Sequence, residues 1–174
     1  MKNEIEASLA QFATEMGTVD EMVHVLLKGH LLLEEALVRI IEQFVFYREH
    51  ASEGRFSFSQ KVHLCRALCL RKNDFGEWEL IAAINALRNV VAHKLNSPER
   101  EKKFSKVKDI YLREAAAMKA SEQLQAMKEH EIVLLACGHC LGFLTSFEAD
   151  AKAFREIIYA MDRDRNPDQP AFEL

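Results

Sequence analysis

The sequence predicts an all-α protein, an up-and-down bundle of five or six helices. Apolar residues recur at spacings of three and four along most of the chain. Gly (6) and Pro (3) are scarce among 174 residues, while Leu, Ala, Glu and Lys are common. Helix-starting residues stand where these periodic stretches begin, several followed three positions later by Glu or Gln. No strand or hairpin signal competes with this pattern.

Residues 3–16 form a first amphipathic stretch with Ile5, Leu9, Phe12 and Met16 on one side, ended by Gly17. Thr18-Val19-Asp20-Glu21 reads as a capping box. It opens a helix to about Tyr47, through Met22, Leu26, Leu33, Leu37, Ile40 and Phe44. A polar loop is expected from His50 to Phe56. Ser57-Phe58-Ser59-Gln60 is a second capping box, starting a helix to about Leu70. Asp74 and Glu77 form a weaker third box, and the segment from Glu77 to Lys94 is apolar and helical. Ser97-Pro98 restarts the chain as N-cap and first helical residue. Residues 98–128 read as exposed helix, and a last long helix spans about 130–163. The domain is expected over residues 1–165, with a flexible C-terminal tail over 166–174.

The length bounds the chain to one domain with a core of its own. A net charge of −4 argues against non-specific coating of nucleic acid but allows a local basic groove. No run of 18 apolar residues is present, so no transmembrane helix is expected. The N-terminus is acidic and lacks the apolar core of a signal peptide. A cytoplasmic location follows as the expectation, with the four cysteines reduced.

The stretch that bears on function is Leu87-Arg88-Asn89-Val90-Val91-Ala92-His93. Arg88 offers a planar fork that matches phosphate. His93 falls in the last turn of its helix, where the carbonyl end of the dipole favours a protonated imidazole. Asn89 and His93, four apart, share a helix face. Arg88 and His93 are about 140° apart on an ideal helix, which a long arginine can span. The same residues also fit a polar seam at a helix end, with no chemistry at all.

This segment resembles the signature of the HEPN superfamily: Arg, four to six residues, then His, with a polar residue after the Arg. The upstream run from Lys28 to Leu37, the run from Phe56 to Val62 and Trp78-Glu79-Leu80-Ile81 are also similar to that family. The resemblance covers roughly residues 19–97; the rest matches only as further helices. It implies a helical homodimer and, in active members, endoribonuclease cleavage that needs no metal or other cofactor, at a site composed of two motifs. His93 would then serve as general base or acid, Arg88 would bind the scissile phosphate, and Asn89 would orient one or the other. The product would be a 2',3'-cyclic phosphate. The setting the resemblance implies is a toxin–antitoxin or phage-defence system, with RNA as substrate and an antitoxin protein as a second partner. Non-catalytic members, such as regulators of the mannitol-repressor type, keep a second reading open. Members controlled by nucleotide transfer carry Tyr two residues after the His; Leu95 stands there, so that control is not expected.

Between residues 94 and 108, Lys94, Arg100, Lys102, Lys103, Lys106 and Lys108 outnumber Glu99 and Glu101, six charges against two. This stretch either guides an RNA backbone or is a solvated helix face. Glu34 or Glu35, with His30 a turn before Glu34, either holds Arg88 in a salt bridge or lies at the surface. Cys65, Cys69, Cys137 and Cys140 are read as buried free thiols, ahead of zinc binding or redox chemistry. Gly138 and Gly142 are read as allowing close helix packing.

Overall fold

The structure is a computed structural model that describes residues 2–17, 20–93, 98–116 and 127–170. Seven helices lie among the described residues: α1 (Lys2–Gly17), α2 (Glu21–Phe44), α3 (Arg48–Glu53), α4 (Phe58–Leu68), α5 (Glu77–His93), α6 (Pro98–Ala116) and α7 (Glu129–Arg165). None of the described residues is in a strand, so the protein is an all-α bundle.

The core forms where the apolar stripe of α2 meets the other helices. Leu26, Leu33, Leu37 and Ile40 of α2 are fully buried, and α2 packs on α7, α4 and α5. From α5, Trp78, Leu80, Ile81, Ile84 and Leu87 enter the same core. Trp78 closes one end: its ring meets Phe143 edge-on at 5.0 Å, and its Nε1 donates to the Lys72 carbonyl at 2.7 Å. Apolar burial of this kind is the main stabilising term, at about 25 cal/mol per Å².

Contacts along the helices fix their directions. On α2 and α7, Glu21 meets His130 and Arg39 meets Glu148, so these helices run parallel. On α2 and α4, His30 meets Phe58 and Glu34 meets Lys61, again parallel. Glu79 near the start of α5 meets Arg113 near the end of α6, so that pair is antiparallel. The alternation of an up-and-down bundle therefore holds from α4 through α6. At α2–α4 and α6–α7 the next long helix starts from the same end as the one before.

Several helix ends follow the expected chemistry and several do not. At Ser57 the capping box is complete: Ser57 Oγ accepts from Gln60 N at 3.3 Å, and Gln60 Oε1 accepts from Ser57 N at 2.8 Å. The cap of α2 is Asp20, whose Oδ1 accepts from Val23 N at 3.1 Å. Thr18, proposed for that role, lies outside the described residues. The end of α2 comes at Phe44, short of the expected Tyr47, and the short α3 (Arg48–Glu53) runs into the loop expected from His50 to Phe56. Asp74 does not cap α5. Gly76 occupies the position before the helix, and a side chain there would meet the Glu114 carboxylate, which covers it.

Helix α6 starts at Pro98 as expected, but it is not simply exposed: Val107, Ile110, Tyr111 and Ala115 are buried against α5 and α7. Residues 117–126 lie outside the described residues. By length and apolar composition alone α7 would suffice to cross a membrane, yet it buries Val133, Ala136, Cys140, Leu144, Phe147 and Ala151 as a core helix does. Close packing of α2 on α7 rests on Gly29, whose Cβ would lie 2.5 Å from Cys137 Sγ. Gly138 and Gly142, expected to do this, face open space instead. After α7, Asn166 donates back to Asp162 through its backbone and side chain, both at 2.8 Å. Residues 171–174 of the expected tail lie outside the described residues.

Candidate functional site

Three helices bring polar side chains together around the second half of α5. Asn85, Arg88 and Asn89 are at i, i+3 and i+4, so one face of the helix carries them. Asn85 Oδ1 lies 3.0 Å from His30 Nε2 on α2. With that oxygen as acceptor, Nε2 carries a proton. The His30 ring stacks on Phe58 of α4 at 4.1 Å. One turn along α2, Glu34 Oε1 accepts from Lys61 Nζ at 2.7 Å.

Burial holds His30 below its ordinary value of 6.5. The Asn85 hydrogen bond and Glu34 pull it upward, while the positive charges of Arg88 and Lys61 push it further down. Because the folded value is the lower one, the stability tied to neutral His30 is fully present above the unfolded value of about 6.5. It is lost as pH falls from there through the folded value. Urea unfolding at a series of pH values is expected to show this loss, and His30→Gln is expected to flatten it. An unchanged slope in the variant would assign the acid sensitivity elsewhere.

Arg88 is half-buried. Its contact is a long donation from Nη1 to Asn89 Oδ1 at 3.5 Å, and Asn89 is exposed. Of the two readings open for Glu34 and Glu35, a salt bridge to Arg88 is not the one seen. The parallel α4 sets Lys61 beside Glu34 and satisfies that carboxylate, and Glu35 faces solvent. Among the described residues no carboxylate forms an ion pair with Arg88. The backbone of His93 ends α5, but its side chain lies outside the described residues, as do Lys94 and Leu95.

The basic stretch divides. Arg100 is committed to the fold: it donates to Asp20 at 2.5 Å and Glu129 at 3.4 Å, joining the start of α2 to the start of α7. Lys106 stands 3.8 Å from Glu79. Lys102 and Lys103, in the first turns of α6, have no ion pair among the described residues. Arg100 is thereby corrected from a groove residue to a clamp, because two acidic helix starts converge on it.

Asn85 and Lys61 belong to this cluster and were not singled out from the sequence. Asn85 had a readable signal, a polar residue inside an apolar helix and in phase with Arg88 and Asn89. The cysteines are free thiols: burial pushes Cys65 and Cys137 up to about 12, and Cys140 also rises well above its ordinary value. A protonated thiol is a poor nucleophile. His139, within the Cys137–Cys140 run, turns its Nε2 to 3.2 Å from Glu77 Oε1, close but not aligned as a hydrogen bond. Among the described residues no group of three or more His, Cys, Asp or Glu side chains could hold a metal ion. No protein-family model, curated protein or solved structure matches the chain.

Proposed function

We propose that the chain is an endoribonuclease of the HEPN type, with Arg88 and His93 of two copies forming one metal-independent site. The observation that carries the reading is Arg88 itself: a half-buried cation on an organised helix face that, among the described residues, has no carboxylate to neutralise it. A half-buried guanidinium without a counter-ion among the described residues gains from an anion of matching shape, and phosphate is such an anion. Lys102 and Lys103, which form no ion pair among the described residues, add a local field for an RNA backbone.

The chemistry follows from these side chains. His93 of one copy takes the proton of a ribose 2'-OH as the 2'-oxygen attacks phosphorus. His93 of the other copy gives a proton to the departing 5'-oxygen. Bond formation to the 2'-oxygen and loss of the 5'-oxygen leave a 2',3'-cyclic phosphate and a 5'-hydroxyl. Arg88 neutralises charge on the non-bridging oxygens as they gain it. Asn89 orients His93 or the phosphate. A toxin–antitoxin or phage-defence setting, with an antitoxin protein as partner, is what the HEPN resemblance adds.

A second reading is a non-catalytic helical regulator of the mannitol-repressor type. It is favoured by the pairing already complete inside the chain, His30 with Asn85 and Lys61 with Glu34, which makes a stable polar seam without any substrate. RNA incubated with the wild-type protein and with His93→Ala, in EDTA, separates the two. Cleavage that survives EDTA and disappears with His93 is the expected result. Intact RNA under every condition tried would leave the regulator.

A further inference from the structure

Two complementary surfaces of this chain are both uncovered. Helix α1 presents Ile5, Leu9 and Phe12 as one stripe, each 56–62% exposed, and no other helix covers it among the described residues. Between α2 and α7 runs an apolar groove of about 450 Å³, walled by Val25, Lys28, Leu32, Leu134 and Leu141. Its α7 side is shallow at Gly138, where a side chain would meet nothing. Leu32 and Leu134 stand 50% and 58% exposed at its edges.

We propose that α1 of one copy docks in the α2–α7 groove of a second copy, reciprocally, so that the protein is a helix-exchanged homodimer. The dimensions agree. Ile5 and Phe12 are seven positions apart, as are Val25 and Leu32 and Leu134 and Leu141, each pair about 10 Å apart along a helix axis. The charges agree as well. Over residues 2–17, Glu4, Glu6 and Glu15 outnumber Lys2, while Lys28 is the charged side chain that lines the groove. An element uncovered on its own molecule, whose complement is uncovered on the same molecule, is the arrangement that reciprocal exchange satisfies. The α2 end of the connection is fixed, since Asp20 is held by Val23 N and by Arg100. The proposal does not depend on RNA cleavage.

The test uses the full chain. Wild-type protein is expected to be a dimer by light scattering, and the triple variant Ile5→Ser, Leu9→Ser, Phe12→Ser a monomer that keeps the wild-type helical circular dichroism and unfolds cooperatively, because the stripe lies outside the core, while the concentration dependence of the wild-type Tm is lost with the dimer. Position 9 at the middle of the stripe and position 138 at the middle of the groove meet whichever way α1 runs. Mixing Leu9→Cys protein with Gly138→Cys protein under mild oxidation is therefore expected to give a disulfide-linked pair on a non-reducing gel. A monomeric wild type, a triple variant that stays dimeric, or a linkage that forms only within one chain carrying both cysteines would each overturn the proposal.

Discussion

Arg88→Ala is expected to lower kcat/KM for RNA cleavage by about 10²–10³-fold, the usual cost of removing one donor that stabilises developing charge. It is expected to change folding stability by less than about 1 kcal/mol, as substitutions away from buried networks do. Both halves follow from the same observation. Arg88 is half-buried without a carboxylate among the described residues, so its removal strands no buried anion. What is lost on folding is some packing of its aliphatic stem. Arg88→Lys keeps the charge but not the planar fork, and is expected to recover only part of the rate. An accompanying signature lies at His30, which the Arg88 charge pushes downward. In Arg88→Ala the NMR titration midpoint of His30 should move up. An arginine that merely completed the scaffold would behave in the opposite way, with stability falling and any activity following it. Urea denaturation and single-turnover cleavage on the same preparations decide between these outcomes.

What could be read from the sequence is what depends on neighbours three or four residues apart. The stripes of α2, α5 and α7 were legible because each turn repeats the burial of the last. The Ser57–Gln60 box was legible because both of its hydrogen bonds close within one turn. Where two caps compete locally, as Thr18 and Asp20 do, spacing alone does not choose. Asp20 prevails with a second partner, Arg100, 80 positions away. The same limit applies to the site. Arg88, Asn89 and His30 stood out as polar residues in apolar helices. The partnership of Lys61 with Glu34 depends on α4 running parallel to α2, which no local pattern encodes. Spacing alone therefore leaves open whether Glu34 or Glu35 holds Arg88 or lies at the surface; the fold gives Glu34 to Lys61 and, among the described residues, leaves Arg88 without a carboxylate.

Arg155 is the extreme case of this illegibility, and its replacement is expected to have the largest effect on stability. From the sequence it is one more charge on a long amphipathic helix. In the structure it is 4% exposed. Its Nη1 donates to the carbonyl oxygens of Glu42 at 2.5 Å and Val45 at 2.9 Å, at the C-terminal end of α2. Nε and Nη2 donate to Tyr159 Oη at 2.9 and 2.5 Å. The guanidinium carbon lies 5.1 Å from the centre of the Tyr159 ring and 5.8 Å from that of Phe46. A helix C-terminus carries partial negative charge and carbonyls without intrahelical partners. Arg155 thus joins the end of α2 to α7, the partner with which α2 shares most of its length. Burying the cation is costly, and these contacts offset that cost. Arg155→Ala removes the contacts, leaves the carbonyls of Glu42 and Val45 without this donor and opens a cavity. The expected loss is about 3–4 kcal/mol, from charge-assisted hydrogen bonds of about 1.5–3 kcal/mol and a dipole contribution of up to about 2 kcal/mol that do not add fully. For a domain stable by about 5–15 kcal/mol, that is a large share. Arg155→Lys should recover less than half, since a single ammonium cannot reach both carbonyls and the phenol together. Tyr159→Phe should cost about 1 kcal/mol. Chemical denaturation of the three variants checks this order. An Arg155→Ala protein as stable as wild type would show that the end of α2 is held by its apolar contacts alone.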